Sequence, residues 1–149
     1  RLGGFVCAEA WFYHKESIEQ HESLYDPRVG SRILRGKEQG AADYIELQQV
    51  RELWIAQMES LLAPYDGLLL PTTPVIPPTI AELADEDAYF RANGLILRNP
   101  AIINFLNGCA LSLPCHSAQS APVGLMLAAP AYHDAHLLNV GHTIESILS

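Results

Sequence analysis

Residues able to do chemistry are sparse in this 149-residue chain. Cys115 stands beside His116, and His21, His133 and His142 are further imidazoles that could serve a thiol as its base. A cysteine hydrolase needs that base, an oxyanion site and a group that orients the base. Nothing near Cys115 marks the last two, so the residue is read as a structural cysteine, and an independent Cys/His hydrolase is kept as the minor alternative. His133, Asp134 and His136, with His142 six residues on, resemble half a metal site. Without a second cluster they read as the polar start of a helix, and no metal is expected. Ser112, Ser117 and Ser120 lack the flanking glycines of a Gly-x-Ser-x-Gly elbow. Glu82, Asp85, Glu86 and Asp87 form a run of like charge, read as a solvated face.

Composition narrows the class. Hydrophobic residues make up 49% and charged residues 17%, which is a globular rather than a disordered balance. The formal net charge is −8, and the nine basic residues are scattered, which argues against a nucleic-acid partner. No apolar run reaches the length of a membrane span, so no membrane partner is expected. Cys7, Cys109 and Cys115 are an odd, low count that favours reduced thiols and a cytoplasmic setting. The opening Arg1-Leu2-Gly3-Gly4 has neither an initiator Met nor a secretory leader, and reads as the middle of a longer chain.

The elements that must position these residues follow from periodicity. A first helix is expected from about Glu9 to Leu24, with Ala10, Phe12, Ile18 and Leu24 apolar and Asp26-Pro27 as its stop. A second runs from about Asp43 to Ala63 on the stripe Leu47, Val50, Trp54, Met58 and Leu61, capped by Asp43 and stopped by Pro64. Leu68-Leu69-Leu70 is apolar at successive positions, the pattern of a strand buried on both faces inside a helix-covered sheet. The four prolines between Pro71 and Pro78 predict an extended loop. Asn99-Pro100 predicts a cap and first position of a short helix ending near Asn107-Gly108. Strands are expected at Leu111–Pro114 and Val123–Leu127, joined by a polar loop. A closing helix from Asp134 to Leu148 should bury Leu137, Leu138, Val140 or Gly141, Ile144 and Ile147. No linker divides residues 1–149 into separate domains, and three strands are few for this length, so the sheet needs strands from elsewhere.

Three ordered blocks resemble the amidase signature family. The first is Tyr65-Asp66-Gly67-Leu68-Leu69-Leu70-Pro71-Thr72-Thr73-Pro74. The second is Arg98-Asn99, then Asn104, then Gly108-Cys109-Ala110-Leu111-Ser112-Leu113-Pro114-Cys115. The third is Ala121-Pro122-Val123-Gly124-Leu125-Met126-Leu127, followed by Asp134, Leu137-Leu138 and Glu145. Asp26-Pro27-Arg28-Val29-Gly30 with Arg32-Ile33 and Gly36 is a weaker match. Cys109 stands where the family usually has Pro, and Asn107 where Gly is usual. Joint order and spacing carry the resemblance.

That resemblance implies the C-terminal portion of an α/β amidase signature fold, a mixed sheet covered by helices on both faces. It implies hydrolysis of a small-molecule carboxylic amide by a Ser-Ser-Lys mechanism, without a cofactor. The lysine of such a set must be neutral to accept a proton, and the Gly-Gly-Ser-Ser-Gly-Gly type of segment that carries the nucleophile is not in this sequence. Lys15 and Lys37 are its only lysines and it has no adjacent serine pair. No catalytic residue is therefore expected in this chain, and its first partner is the N-terminal part of the same enzyme. Matched by position, Arg32 aligns with an arginine that clamps a substrate carboxylate in amidotransferase relatives; a helix-surface arginine is the equal alternative. Tyr89 lines the substrate entrance or packs with Phe90. Asn104 belongs with the substrate-side residues or bonds its side chain to backbone. Leu95-Ile96-Leu97-Arg98 lacks the acidic residue of glutamine-specific relatives, which favours a general amidase. The second hypothesis is a non-catalytic piece of an amidotransferase assembly. Alone, the chain would expose a sheet edge and an apolar face, so a homo-oligomer or another partner is expected.

Overall fold

The computed structural model describes residues 4–148. Five helices and three strands follow in the order α1 (Gly4–His21), α2 (Pro27–Leu34), α3 (Ala41–Leu62), β1 (Leu68–Pro71), α4 (Glu86–Leu106), β2 (Cys109–Pro114), β3 (Gly124–Ala129) and α5 (Asp134–Leu148). Two compact units divide the chain, Arg1–Leu53 and Trp54–Ser149, and the boundary falls inside the unbroken α3.

In the first unit α1 starts earlier than its sequence suggests and ends at His21, with a single 3-10 turn at Glu22–Leu24. Of its expected apolar positions only Ile18 is buried, with Cys7; Phe12 and Leu24 face solvent. Asp26-Pro27 is a start rather than a stop. The Asp26 carboxylate accepts from the Arg28 N–H at 2.8 Å, and Pro27 takes the first turn, where its missing N–H costs nothing. α2 buries Gly30 and Ile33, and Gly36 follows in a second 3-10 turn. A side chain at Gly36 would overlap the Cys7 carbonyl and the Trp11 Cβ, so glycine is what lets this turn lie on α1. Lys37 ties the turn to α1, 3.1 Å from Glu19 and 5.2 Å above the Trp11 ring.

α3 begins at Ala41, with Asp43 accepting from the Gly40 N–H at 3.0 Å, and ends at Leu62 just before Pro64. Its expected apolar stripe is not buried. Val50 and Leu61 are exposed and Leu47, Trp54 and Met58 half-covered; the one buried residue is Leu62.

The second unit is built on a sheet of order β1-β3-β2, antiparallel at both pairings. The mixed sheet expected from the resemblance is represented among the described residues by these antiparallel pairs. Both faces carry a helix. On one, Ile103 of α4 packs with Met126 and Ala128 of β3 and with Leu68 and Leu70 of β1. On the other, Leu137, Val140 and Ile144 of α5 pack with Leu127 and Ala129 of β3 and with Cys109 and Leu111 of β2. α5 has the expected bounds, but Leu138 and Ile147 are exposed rather than buried. β1 lies at a sheet edge, and Leu69 is 53% exposed, against the expectation of a strand covered on both faces.

The largest departure is α4. Asn99-Pro100 does not start a helix; it lies inside one of 21 residues, capped by the Asp85 carboxylate on the Ala88 N–H at 2.8 Å. Glu86 and Asp87 then occupy the first turn, where the helix dipole favours them. The acidic run is thus partly a helix start. An internal proline costs about 3 kcal/mol. Burial of Asn99, Ile103 and Leu106 around it offsets that cost. The C-terminal end is as expected, with Asn107 left-handed at φ 59° before Gly108.

Candidate functional site

Arg32 lies in the last turn of α2, half-buried, in the first unit. The hollow beside that helix is lined by Tyr25, Asp26, Pro27, Gly30, Ser31 and Leu34 among others, and not by Arg32. Tyr89 and Asn104 both belong to α4 in the second unit. Fifteen residues apart on one helix, they are separated by about 22 Å along the axis, so they do not meet around one small substrate. Tyr89 is half-buried on the first turns, its ring edge-on to Phe90 with centroids 5.4 Å apart. Tyr89 thus stands on a helix that begins well before the Asn99 start expected from the sequence. Asn104 is exposed near the C-terminal end, where its backbone carbonyl accepts from the Asn107 N–H.

The thiol and imidazole of Cys115 and His116 converge on one backbone oxygen. Cys115 Sγ lies 3.5 Å and His116 Nδ1 3.2 Å from the Val123 carbonyl, which also accepts the Cys115 N–H at 3.0 Å. Each side chain is thereby held against the strand junction rather than aimed at the other. His133 places Nδ1 3.0 Å from the Ala131 carbonyl, and His136 Nε2 lies 3.4 Å from Asp66 Oδ1 across a cleft. That cleft, about 470 Å³, is lined by Glu59, Tyr65, Asp66, Pro130, His133 and His136 among others. Among the described residues no three His, Cys, Asp or Glu side chains are grouped to hold a metal ion.

The most constrained polar group lies where β1 runs into the proline-rich loop. Asn99, 5% exposed, donates through Nδ2 to the Pro71 carbonyl at 2.7 Å, while its Oδ1 receives Arg98 Nε at 3.3 Å. The next residue along the strand, Thr72, gives its N–H to the Gly124 carbonyl at 2.8 Å and pairs its hydroxyl with that of Ser112. A Cβ at Gly124 would collide with both hydroxyls, so the two outer strands can touch only over a glycine. Beyond, Thr79 and Glu82 form a reciprocal cap. The Glu82 carboxylate accepts the Thr79 N–H at 2.7 Å and its hydroxyl at 2.8 Å, which holds the carboxyl below its usual range. Sequence reasoning does not single out Asn99 as a clamp. The signal is there, a polar residue inside an apolar helical stretch, but Pro100 turns that signal into a cap.

Among the described residues, these bonds hold the strands and the proline-rich loop in place. A family model described as Amidase matches residues 13–138. The chain is 30% identical over 149 residues to 2-amino-5-chloromuconic acid deaminase of Comamonas testosteroni, covering 99% of this chain and 32% of that protein. It is 33% identical over 102 residues to the A subunit of glutamyl-tRNA(Gln) amidotransferase from Saccharolobus solfataricus, covering 68% of this chain and 21% of the relative. Among solved structures, an amidase superposes with a TM-score of 0.80 at 23% identity, over 99% of this chain and 34% of its own. An allophanate hydrolase of Kluyveromyces lactis gives 0.78 at 25%, over 91% and 22%. The chain therefore spans about a third of the length of the first of these relatives. With the sheet, α4 and the first turn of α5 inside the matched range, this chain belongs to the Amidase family.

Proposed function

We propose that this chain is the C-terminal segment of an amidase that hydrolyses a small carboxylic amide to the acid and ammonia or an amine. The carrying observation is the match over residues 13–138 in a chain that has two lysines and no adjacent serine pair. In this reading the Ser-Ser-Lys set belongs to polypeptide outside the segment, and the two compact units are parts of one domain. The segment completes the sheet and walls the substrate pocket. Arg32 grips a substrate carboxylate with two parallel N–H bonds, while Tyr89 and Asn104 line different parts of the substrate path. The whole enzyme works in the cytoplasm as a homo-oligomer, without metal or cofactor.

The test is ammonia release from small aliphatic and aromatic amides, measured for the whole gene product and for residues 1–149 alone. Turnover by the former and none by the latter is expected. Hydrolysis by the segment alone, abolished by alkylation of Cys115, would replace this reading with the thiol hydrolase. The second reading, a non-catalytic piece of an amidotransferase assembly, is favoured by the similarity to the amidotransferase relatives. Another polypeptide co-purifying in fixed ratio, with no turnover in its absence, would select it.

A further inference from the structure

In an Asn-Gly dipeptide no side chain shields the backbone nitrogen that can reach the asparagine amide, because glycine has no Cβ. The chain has two such dipeptides, Asn93-Gly94 inside α4 and Asn107-Gly108 at its C-terminal end. The reaction open to them is an internal displacement. At the second, the Gly108 nitrogen gives its proton to solvent base and bonds to Cγ of Asn107. The bond from Cγ to the amide nitrogen breaks, and that nitrogen takes a proton from solvent and leaves as ammonia. The five-membered imide then takes up water. Attack at Cγ gives aspartate; attack at the main-chain carbonyl gives isoaspartate, whose main chain runs through Cβ and is longer by a carbon.

Backbone conformation decides where this can happen. The ring closes only when the glycine nitrogen and the asparagine side chain lie on the same side of the Cα–C bond. At Asn107, φ 59° and ψ 26° turn that nitrogen away from the side chain. The Gly108 N–H is also bonded to the Ile103 carbonyl at 3.1 Å. Rotation about the Asn107 Cα–C bond must break that bond and shift Gly108, which lies so close to β3 that a Cβ there would meet the Ala129 carbonyl at 2.5 Å. The turn is nevertheless the end of a helix, and Asn107 is exposed. Asn93 is half-buried inside the helix, where the Gly94 N–H bonds the carbonyl four residues back and helical turns continue on either side. Helix ends open far more often than helix interiors.

We infer that Asn107 is a site of spontaneous conversion to aspartate and isoaspartate, gated by opening of the turn between α4 and β2, while the helix protects Asn93. Both products disturb the sheet. An aspartate sets a negative charge at the C-terminal end of α4, where the helix dipole opposes it. Isoaspartate lengthens the main chain directly ahead of Cys109, whose pairing with Ala129 opens the β2–β3 register. The lengthened turn no longer fits both the Gly108 bond to Ile103 and the Cys109 pairing, so the converted protein closes this end of the sheet less firmly. This chemistry is independent of the reaction that the whole enzyme catalyses.

Warm, mildly alkaline incubation of the whole gene product, in buffer and in unfolding urea, tests this. Peptide mapping by mass spectrometry reads the amide-to-acid conversion at each asparagine, and enzymatic methylation of isoaspartate separates the two products. In urea the two sites should convert at similar rates. In buffer Asn107 should convert about 10- to 1,000-fold more slowly than in urea, and Asn93 about tenfold or more slowly still. A native Asn107 that converts as fast as the unfolded one removes the gate, and one that stays intact beyond that range removes the site. Conversion at Asn93 as fast as at Asn107 overturns the inference as well. Asn107→Gly keeps a residue at home at positive φ, so it should fold and form no isoaspartate at this turn. Aged parent protein should show a lower urea midpoint than fresh parent, while aged Asn107→Gly keeps its own. An equal loss in both proteins would place the damage elsewhere and overturn the effect on the sheet.

Discussion

Substituting Asn99 tests whether one buried side chain fixes the junction between β1 and the proline-rich loop. Its Nδ2 donates to the Pro71 carbonyl at 2.7 Å, 28 positions away in sequence, and the residue is 5% exposed. Asn99→Ala removes a hydrogen bond with a net value of about 1 kcal/mol and leaves a carbonyl whose stranding costs about 1–3 kcal/mol if water does not reach it. Two effects reduce the sum. Pro71 is itself exposed, so water can enter the space left by the amide. Alanine is also the better helix former by roughly 0.5 kcal/mol. The expected loss is about 1–2 kcal/mol, read as a lower urea midpoint with unchanged slope.

Asn99→Asp sharpens the test, because an ionised carboxylate has nothing to donate and would set its negative charge against the carbonyl oxygen. Its cost at neutral pH should exceed that of the alanine variant. The pH dependence has a definite sign. Burial and the facing Pro71 carbonyl favour the neutral acid, which can donate, and outweigh the solvent-screened Arg98 guanidinium at the other oxygen, so the folded pKa of the new group lies above the unfolded value of about 3.9. The variant is then most stable relative to the parent below that value and loses ground as pH rises through the raised folded pKa. Urea unfolding of the parent and both variants between pH 4 and 8 checks this. An alanine variant within about 0.3 kcal/mol of the parent, or an aspartate variant with the parent's pH profile, would refute the clamp.

Two further outcomes are expected. Gly36→Ala should cost about 3 kcal/mol or more, because the new methyl meets the Cys7 carbonyl and the Trp11 Cβ and the turn must lift from α1; a thermal midpoint unchanged to within a degree would contradict the packing of the first unit. The Thr79–Glu82 cap should loosen in acid. The folded Glu82 pKa is lowered, so the cap is complete above the unfolded value of about 4.3 and is lost as pH falls through the folded one. Glu82 chemical shifts titrating below that unfolded value would show it, and Glu82→Gln should abolish the titration.

Local chemistry makes several elements legible in the sequence. The bounds of α5 are legible because its apolar spacing lies between a polar start and the last leucines, and β2 and β3 because short apolar runs stand on either side of a polar loop. The Asn107-Gly108 ending of α4 is legible because a left-handed residue after a helix calls for Asn or Gly. Its beginning is not. Asn-Pro has the local chemistry of a helix start, and only the burial of Asn99, Ile103 and Leu106 makes the helix run through it. Likewise Asp26-Pro27 carries the chemistry of both a stop and a cap, and the site residues Arg32, Tyr89 and Asn104 come from positional likeness, which says nothing about where side chains meet.

Sequence by itself determined the family, the absence of a paired-serine nucleophile and the order of most elements, because each depends on residue types at short separations. Tertiary structure alone decided that Asn99 grips Pro71, that Tyr89 and Asn104 stand apart on one helix, and that β1 lies at a sheet edge with Leu69 exposed. Those facts depend on which distant segments lie side by side. A ladder's register and a helix's path are global properties, set by burial summed over many residues rather than by any local run.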